Sequence, residues 1–392
     1  MQFRRLEDAD LSGKTALVRV DFNVPRCEDG TISDDTRIQA ALPTIRAIRE
    51  AGGKVVLLSH FGRPNGEAKA EFSLKFLLPV LEQHLGEVIG FTGGDDPVSI
   101  KENITLLENT RFHPGETKGE DALAKEWAKL GDIFVQDAFS ASHRNHVSSA
   151  GLANYLPAYA GLAMERELDH LSQALENPAS PVLGVVGGAK VSTKIDLLSN
   201  LVEKLDMLAI GGGMANTFLA AQGYDVGKSL CEHDLKDTAL KIMDTAHEQN
   251  CRILLPIDVV AATEFAAHAP HRVCGLDEVG ENEMILDAGP ETVNGLADAI
   301  DRAKTLIWNG PLGAFEIPPF DTSTFEAAQY AAKRVKRNGL IAVAGGGDTV
   351  AALKHAGAAQ DFTFISTAGG AFLEWMEGKS LPGVEILTGE VS

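Results

Sequence analysis

Short apolar runs rich in valine, isoleucine and leucine recur along the whole chain and predict β-strands. The ten runs are TALVRVDF (15–22), KVVLLSH (54–60), ITLLEN (104–109), IFVQDAF (133–139), VLGVVGG (182–188), MLAIGGG (207–213), RILLPIDVV (252–260), TLIWNG (305–310), LIAVAGGG (340–347) and FTFISTAGG (362–370). They do not alternate strictly between polar and apolar residues, which is typical of parallel strands buried on both faces.

The segments between these runs have helical periodicity. In TKIDLLSNLVEKLDML (193–208), for example, Ile195, Leu198, Val202 and Leu205 would share one face of a helix. Alternation of strands with helices predicts an α/β fold, with parallel sheets that carry helices on both faces.

The chain has 392 residues, more than the roughly 250–300 over which a single core usually grows, so two domains are expected. A helix within residues 160–184, with Leu162, Glu165, Leu168 and Leu171 at three-residue steps, is the best candidate for the connection between them. It would end at ENPASP, where two prolines stop a helix. An ordinary surface helix inside one domain is the alternative interpretation.

Glycines follow the strand in four places in the second half of the chain: LGVVGGAK, MLAIGGGMAN, IAVAGGGDTV and FTFISTAGGA. The carboxyl ends of parallel strands share one edge of a sheet, and ligands bind there. Glycine turns allow a close approach of the backbone, and the helix N-termini that follow offer free N–H groups. Together the four loops predict a site for a nucleotide or polyphosphate.

Two lysines in VVGGAKVSTK, Lys190 and Lys194, lie four residues apart on what the pattern predicts to be the first turn of a helix. They would point the same way, which suits an anion held between them. In GGGDT, Asp348 would stand at a helix N-terminus, either as a cap or as a carboxylate beside a nucleotide-bound magnesium ion.

The strand ends of the first half carry basic side chains instead of glycine runs. Asp21 and Asn23 follow the first strand, and Arg37 begins a helix for which Asp34 or Asp35 is the expected N-cap. The basic residues at the other strand ends are His60, Arg63, Arg111, His113, His143, Arg144 and His146. Any one arginine could form a surface salt bridge, but together they predict a pocket for carboxylate and phosphate groups. The histidines lack carboxylates at ligand spacing, so a metal site there is not expected.

The charge balance excludes some partners. With 55 acidic and 35 basic residues the net charge is −20, which argues against nucleic acid and anionic membranes. Cys27, Cys231, Cys251 and Cys274 form no C-x-x-C pair, and the charged N-terminus lacks a signal-peptide core, so we expect a cytoplasmic protein with no membrane span. A small-anion pocket in one half and a nucleotide site in the other favour phosphoryl transfer between them.

Nine stretches in this order resemble the phosphoglycerate kinase family, bacterial type, from residue 3 to the C-terminus. They are RVDFNVP, SHFGRP, LLENTRFHPGE, DAFSASHRNH, GGAKVSTKIDLL, GGGMANTFL, WNGPLGAFE, AGGGDT and STAGGAFLE. The resemblance implies reversible phosphoryl transfer between 1,3-bisphosphoglycerate with MgADP and 3-phosphoglycerate with MgATP, in glycolysis and gluconeogenesis.

The resemblance also implies an architecture: two doubly wound, Rossmann-like parallel-sheet domains that face each other across a cleft and close on a hinge helix. A phosphoglycerate-binding domain would span 1–160, the interdomain helix 161–177 and a nucleotide-binding domain 178–380. Residues 381–392 would return to the first domain. A monomer is expected.

The family's site residues carry over by motif, again as implications of the resemblance. Phosphoglycerate would be bound by Asp21, Phe22, Asn23, Arg37, His60, Phe61, Gly62, Arg63, Arg111 and Arg144. The nucleotide, ATP or ADP with Mg²⁺, would contact Gly187, Lys194, Gly211, Gly212, Asn309, Glu316, Gly345, Gly346, Gly347, Asp348 and Thr349, with Asp348 toward the metal and Glu316 on the ribose. The catalytic set would be Arg37, Lys190, Gly346 and Gly369, with Lys190 on the migrating phosphoryl group.

Three positions depart from the family's usual residues: Ala368 stands for a glycine, Gln136 for an asparagine and Phe61 for a leucine. None removes a charged group. Among alternatives, a nicotinamide-dependent dehydrogenase would need G-x-G-x-x-G after the first strand, which is absent. A non-catalytic two-domain binding protein would not explain Lys190, and an inactive scaffold would not need the full set of charged motif residues.

Overall fold

The computed structural model describes residues 2–93 and 101–388, which form two compact units. The first contains the chain up to Asp169 together with the segment from Ser380 onward, and the second runs from His170 to Lys379. None of the helices in the described ranges combines the length and the apolar character needed to cross a membrane.

The first unit is built on a six-stranded parallel sheet in the order β3-β4-β2-β1-β5-β6. Its strands are β1 Thr15–Arg19, β2 Lys54–Leu58, β3 Ile89–Thr92, β4 Ile104–Leu107, β5 Ile133–Gln136 and β6 Ala158–Ala160. Its longer helices are α1 Thr36–Glu50, α2 Leu78–Leu85, α3 Asp121–Trp127 and α4 Leu162–Leu171. Isoleucines 38, 45 and 48 of α1 pack on β1 and β2 and are fully buried.

The second unit has a six-stranded parallel sheet in the order β15-β14-β13-β7-β8-β9 and a three-stranded antiparallel sheet in the order β11-β10-β12. The strands are β7 Val182–Val186, β8 Met207–Ile210, β9 Arg252–Leu254, β10 Asp258–Ala262, β11 His271–Gly275, β12 Met284–Ala288, β13 Thr305–Asn309, β14 Ile341–Gly345 and β15 Phe364–Ser366. The helices are α5 Ile195–Val202, α6 Gly212–Ala221, α7 Lys236–Glu248, α8 Pro290–Arg302, α9 Thr322–Asn338, α10 Gly347–His355 and α11 Gly370–Met376.

The two central strands, β1 and β7, are each flanked by the next strand of the chain on one side and by a much later strand on the other. Such a topological switch point opens a crevice at the carboxyl ends of the strands, where ligands bind in doubly wound folds. In each unit, the carboxyl end of the central strand is therefore the expected location of a ligand site.

The chain crosses from the first unit to the second within α4, which continues as a π-helical turn, Ser172–Glu176. The segment from Ser380 forms a short helix, α12 Pro382–Glu385. Two backbone hydrogen bonds tie it to the first unit: Arg4 N donates to Leu387 O at 2.9 Å, and Gly383 N donates to Ser142 O at 2.8 Å.

The predicted α/β class with two parallel sheets is confirmed, but several details of the prediction were wrong. RILLPIDVV is two strands, β9 and β10, in different sheets. Pro256 lies between them, and a proline cannot donate a hydrogen bond to a strand ladder. The short strands β3, β6, β11 and β12 were missed, and with them the antiparallel sheet. The helix expected over 193–208 begins at Ile195 and ends at Val202, so that Met207 already starts β8.

Candidate active site

A connected set of polar contacts follows β1 in the first unit. Arg37, in the first turn of α1, places Nη1 3.0 Å from Oδ2 of Asp21 and donates to the carbonyl of Asn23 at 2.9 Å. The side-chain oxygen of Asn23 accepts from the backbone N–H of Gly62 at 3.0 Å, and Ser140 donates to Asp21 Oδ2 at 2.6 Å. These bonds join the ends of β1 and β2 to the start of α1.

Helix α1 begins as its sequence predicts, and the two aspartates before it have different hydrogen-bond partners. Asp35 occupies the N-cap position, but the cap bond comes from Asp34, whose Oδ1 accepts from Thr36 N at 2.8 Å. The side chain of Asp35 instead accepts from Gln39 Nε2 at 2.8 Å. Arg37 is therefore fixed one residue inside a capped helix.

The loop after β2 requires glycine at position 62. Its φ of +60° is left-handed, and a Cβ there would lie 2.5 Å from the ring of Phe72. Arg111 donates from Nη1 to the carbonyl of Gly62 at 2.7 Å, and the half-buried Phe61 packs against Phe76 with the ring centroids 5.1 Å apart and the rings tilted by 57°. Phe22, fully buried, donates its backbone N–H to Ser59.

The basic cluster, which we define as Arg37, His60, Arg63, Arg111 and Arg144, is strongly electropositive. Burial first, then Arg144 and Arg19, lowers the pKa of Arg111 to about 10. Burial, then Arg111 and Arg144, lowers the pKa of the nearby His146 to about 4. Burial and like-charge repulsion both disfavour the charged forms, and a bound anion would relieve both, so the cluster is suited to a phosphate or carboxylate ligand.

Members of the cluster differ in exposure. Arg63 is exposed, whereas Arg111 and Arg144 are half-buried. Arg144 donates from Nε to Nε2 of His143 at 3.0 Å. All five residues follow a strand end or start α1, as the sequence predicted, and the positive charges of the arginines lower the pKa of His60 in addition to its burial.

Sequence reasoning missed three residues that support this region. Arg19, the last residue of β1, is 1% exposed, and its Nη2 lies 2.9 Å from Nδ1 of His60. Asn109, fully buried, donates to the carbonyls of Phe61 and Phe72 at 2.7 and 2.9 Å. Ser140 holds Asp21. For Arg19 a signal existed, since an arginine inside a buried apolar run must have partners.

In the second unit, Lys194 is turned inward among carbonyl groups. Its Nζ donates to Asn309 Oδ1 at 2.6 Å, Gly187 O at 2.7 Å and Asn309 O at 3.1 Å. Burial lowers its pKa to about 8, although the charge of Asp348 acts in the opposite direction. Lys194 thus joins the ends of β7 and β13, which form the switch point of this sheet.

Close backbone contact explains the glycines at the same edge. A Cβ on Gly187 would lie 1.7 Å from the carbonyl oxygen of Pro311, and one on Gly310 would lie 2.2 Å from the oxygen of Gly187. Asn309 Nδ2 donates to Gly345 O at 2.8 Å, and Thr349 Oγ1 accepts from Gly310 N at 2.7 Å. The loops after β7, β13 and β14 are therefore one connected frame.

The remaining residues that the resemblance assigns to the nucleotide lie at the starts of other helices or in exposed positions of the same unit. Gly211 follows β8 and Gly212 begins α6; Gly346 precedes α10, of which Gly347 is the first residue; Gly369 precedes α11. Gly212, Gly346 and Gly369 have φ values of +67°, +101° and +46°, conformations that L side chains rarely adopt. Asp348 and Glu316 are both exposed.

The two lysines of VVGGAKVSTK do not share a helical turn, so that part of the prediction was wrong. Lys190 has an extended backbone (φ −140°, ψ 134°) and precedes a 3₁₀ turn, Val191–Thr193, while Lys194 is the residue before α5. Lys190 is exposed, its carbonyl accepts from the hydroxyl of Thr193 at 2.8 Å, and its charge acts on the carboxyl group of Glu232. Lys194 is therefore held inward by its hydrogen bonds, whereas Lys190 is exposed.

Comparison with known proteins shows which family the chain belongs to. The family model described as phosphoglycerate kinase matches residues 6–379. The chain is 57% identical to the phosphoglycerate kinase of Azorhizobium caulinodans, over 98% of this chain and 99% of that one, and 57% identical to that of Caulobacter vibrioides, over 99% and 100%.

The chain belongs to the phosphoglycerate kinase family.

Solved structures agree with this assignment. That of phosphoglycerate kinase from Coxiella burnetii superposes with a TM-score of 0.93 at 44% identity, covering 99% of both chains. That from Pyrococcus horikoshii gives 0.79 at 30% identity, covering 98% of both. The dehydrogenase, binding-protein and scaffold interpretations are thereby set aside.

As a phosphoglycerate kinase, the chain transfers a phosphoryl group reversibly between 1,3-bisphosphoglycerate with ADP and 3-phosphoglycerate with ATP, a step of glycolysis. The acceptor carboxyl group is already ionised near neutral pH, so no proton has to be removed. What the reaction needs is compensation of negative charge as two anions approach. Cationic side chains and helix N-termini are groups that can supply that compensation.

Two of the departures from the family pattern are accommodated by local hydrogen bonds. Gln136, fully buried, donates to the carbonyl of Ser149 at 2.7 Å and accepts from the N–H of Ala138 at 3.1 Å. Ala368 is buried, and its N–H donates to the hydroxyl of Ser366 at 3.2 Å. The loop before α11 thus has an internal bond of its own.

Proposed function

We propose that the two units divide the substrates between them. The first unit binds phosphoglycerate through the basic cluster together with Asp21, Phe22, Asn23, Phe61 and Gly62. The observation that supports this is the lowered pKa of Arg111 and of His146, which is caused first by burial and then by the positive charges of the neighbouring arginines. Asp21 and Asn23 orient Arg37 and Gly62 in this arrangement.

The second unit binds ATP or ADP in our proposal. The residues assigned to it are Gly187, Lys194, Gly211, Gly212, Asn309, Glu316 and the run 345–349. Support comes from the frame in which Lys194 contacts Gly187 and Asn309, because it holds together the loops at the switch point of the sheet, which is where ligands bind in doubly wound folds. Exposed Glu316 is the acceptor for the ribose hydroxyls.

Transfer itself is assigned to Lys190, Arg37, Gly346 and Gly369. Lys190 follows the migrating phosphoryl group, since its exposed side chain is not occupied in supporting the loop frame. Arg37 acts from the phosphoglycerate side. The turns at Gly346 and Gly369 precede α10 and α11, whose N-terminal N–H groups can bind phosphoryl oxygens.

Magnesium enters this proposal with the nucleotide. Across residues 2–93 and 101–388, no three His, Cys, Asp or Glu side chains come together at metal-binding spacing. The phosphates would then supply most ligands of the ion, and the exposed carboxylate of Asp348 the protein's contribution. Asp348 also lies close enough to Lys194 to affect its charge.

We further propose that the chain acts as a cytoplasmic monomer without nucleic-acid or membrane partners, and that its domains close when both substrates are bound. Residues 1–160 and 178–380 are the proposed domains, 161–177 the hinge helix and 381–392 the segment that returns. The net charge of −20 supports the absence of polyanionic partners. Closure is needed to exclude water and align donor with acceptor.

Calorimetric titration of two variants tests the division of substrates. Arg37→Ala should lose affinity for 3-phosphoglycerate by about tenfold or more and keep its affinity for MgADP, while Lys194→Ala should do the reverse. A variant that loses the ligand assigned to the other unit would contradict the proposal. Small-angle scattering tests closure: the radius of gyration should fall only with both substrates present.

A further inference from the structure

The strongest unassigned feature is the buried arginine at the end of β1. We propose that Arg19 is a positioning residue for His60: it holds Nδ1 of the imidazole as a hydrogen-bond acceptor, so that the ring's hydrogen lies on Nε2 and is the one offered to phosphoglycerate. The second half of this statement rests on the proposed substrate-binding role of His60; the first half does not.

The contacts of Arg19 determine the direction of the bond. Its Nε donates to the hydroxyl of Ser148 at 3.0 Å, its Nη1 donates to the carbonyl of Val20, and its Nη2 lies 2.9 Å from Nδ1 of His60. A guanidinium group has only donors and keeps its charge in proteins. The ring nitrogen opposite it must therefore accept, and a neutral imidazole that accepts at Nδ1 carries its hydrogen at Nε2.

A buried carboxylate anchors the arginine. The hydroxyl of Ser148 donates to Glu116 Oε1, and the N–H of Ser148 donates to Glu116 Oε2 at 3.0 Å. Glu116 is 1% exposed and attracts Arg19 electrostatically. The position of Nη2 is thus fixed by a chain of hydrogen bonds from Glu116 through Ser148, and not by His60 itself.

The surroundings of His60 also favour the neutral imidazole. Its pKa is well below the usual histidine value because of burial first, and then the charges of Arg19, Arg111, Arg144 and Arg37. A second proton at Nδ1 would also face the N–H of Arg19, donor against donor. The imidazole therefore stays neutral near pH 7 and contributes a directed N–H, while the arginines contribute the positive charge.

The first experiment uses the ligand-free wild-type protein. Long-range proton–nitrogen correlation spectra with ¹⁵N-labelled histidine distinguish the two tautomers and the imidazolium, and His60→Gln identifies the resonance among the 11 histidines. We expect the Nε2–H tautomer alone, unchanged between about pH 6 and 8. A hydrogen on Nδ1, or titration near the usual histidine pKa, overturns the proposal.

Two variants separate the hydrogen bond from mere positive charge. Arg19→Met removes both; the control Arg111→Met removes a comparable nearby charge but no bond to His60, because Arg111 donates to Gly62. We expect mixed tautomers only in Arg19→Met. The KM for 3-phosphoglycerate should rise about tenfold in Arg19→Met, with a smaller change in kcat, and should rise in Arg111→Met as well, because Arg111 is itself a proposed phosphoglycerate ligand, so the tautomer is the readout that separates the two variants. A single Nε2–H tautomer in a folded Arg19→Met protein overturns the role of Arg19.

The wild-type spectra need no variant, so they decide the tautomer even if Arg19→Met does not fold. Addition of 3-phosphoglycerate to the wild type then tests the donor role: the Nε2 resonance should shift at saturation, and no shift would overturn that half alone. Because the tautomer is observed without ligand, failure of the proposed substrate assignment and failure of the positioning role give different results.

Discussion

The ammonium group of Lys194 lies 2.6 Å from the side-chain oxygen of Asn309. The bond joins the loop after β7 to the end of β13, and every acceptor of Lys194 in this frame is uncharged. An ammonium held by neutral groups in a buried place loses its proton more readily than one in water. This explains the direction of the lowered pKa, about 8.

That pKa predicts a pH dependence of nucleotide use. As pH rises through about 8, the free enzyme loses the positive charge of Lys194, so kcat/KM for ATP should fall above that pH. Lys194→Arg remains charged throughout and should lack this alkaline decrease even if its overall rate is lower. A wild-type profile that stays flat well above pH 8 would contradict the prediction.

Substitution of Lys190 should affect catalysis without affecting stability. It is exposed, so Lys190→Ala should leave the unfolding free energy nearly unchanged and lower kcat at least ~100-fold, because a contact made in the transition state is worth roughly 3–4 kcal/mol. Lys241→Ala is the matched control, an exposed lysine of α7 whose carbonyl also accepts from a threonine hydroxyl. Near-normal kcat in Lys190→Ala, measured in a coupled assay, would refute the role.

The close contact at Gly187 predicts that one added methyl group there weakens ATP binding and lowers stability. Gly187→Ala would place Cβ 1.7 Å from a backbone oxygen, so the loop must move; we expect weaker ATP binding and a loss of a few kcal/mol of stability. Gly295→Ala, inside α8, meets nothing within 4 Å and should raise stability by up to about 1 kcal/mol. Denaturant unfolding and ATP titration of both variants measure this difference.

The sequence predicted which loops carry the residues of the candidate site, because a parallel sheet places every strand's carboxyl end at one edge and the residues there are glycine or cationic. It did not predict side-chain direction within a loop. Lys190 and Lys194 were placed together by spacing alone, whereas the extended backbone of Lys190, the 3₁₀ turn Val191–Thr193 and the bonds of Lys194 to Asn309 separate them. Arg19 was overlooked because its partners, His60 and Ser148, are distant in sequence.

Some strands were missed because they depend on pairing with strands that are distant from the local sequence pattern. The runs that became central strands are long and apolar, but β11 contains the exposed residues His271, Arg272 and Val273. It exists because it pairs with β10 in an antiparallel sheet, a partnership that no local pattern contains.

Two buried carboxyl groups make stability depend on pH. Burial raises the pKa of Asp137 to about 7, against hydrogen bonds from Thr44 and the first turn of α4, and raises that of Asp287 to about 7, against bonds from Ser323. The folded protein therefore binds these protons more tightly than the unfolded chain. The stabilisation is complete below pH 4 or so for these two groups and is lost as pH rises through about 7, by a few kcal/mol in all.

Denaturant unfolding at a series of pH values should show this loss, once the opposite contributions of other groups are removed by comparison with variants. Asp287→Asn cannot titrate, so the unfolding free energy of the wild type minus that of the variant should fall steadily from pH 5 to about 7, whatever its value at pH 5. Asp277→Asn, an exposed carboxylate on the β11 side of the same unit, is the control and should give a constant difference. A constant difference for Asp287→Asn as well would mean that Asp287 is ionised throughout, held by Ser323 against its burial.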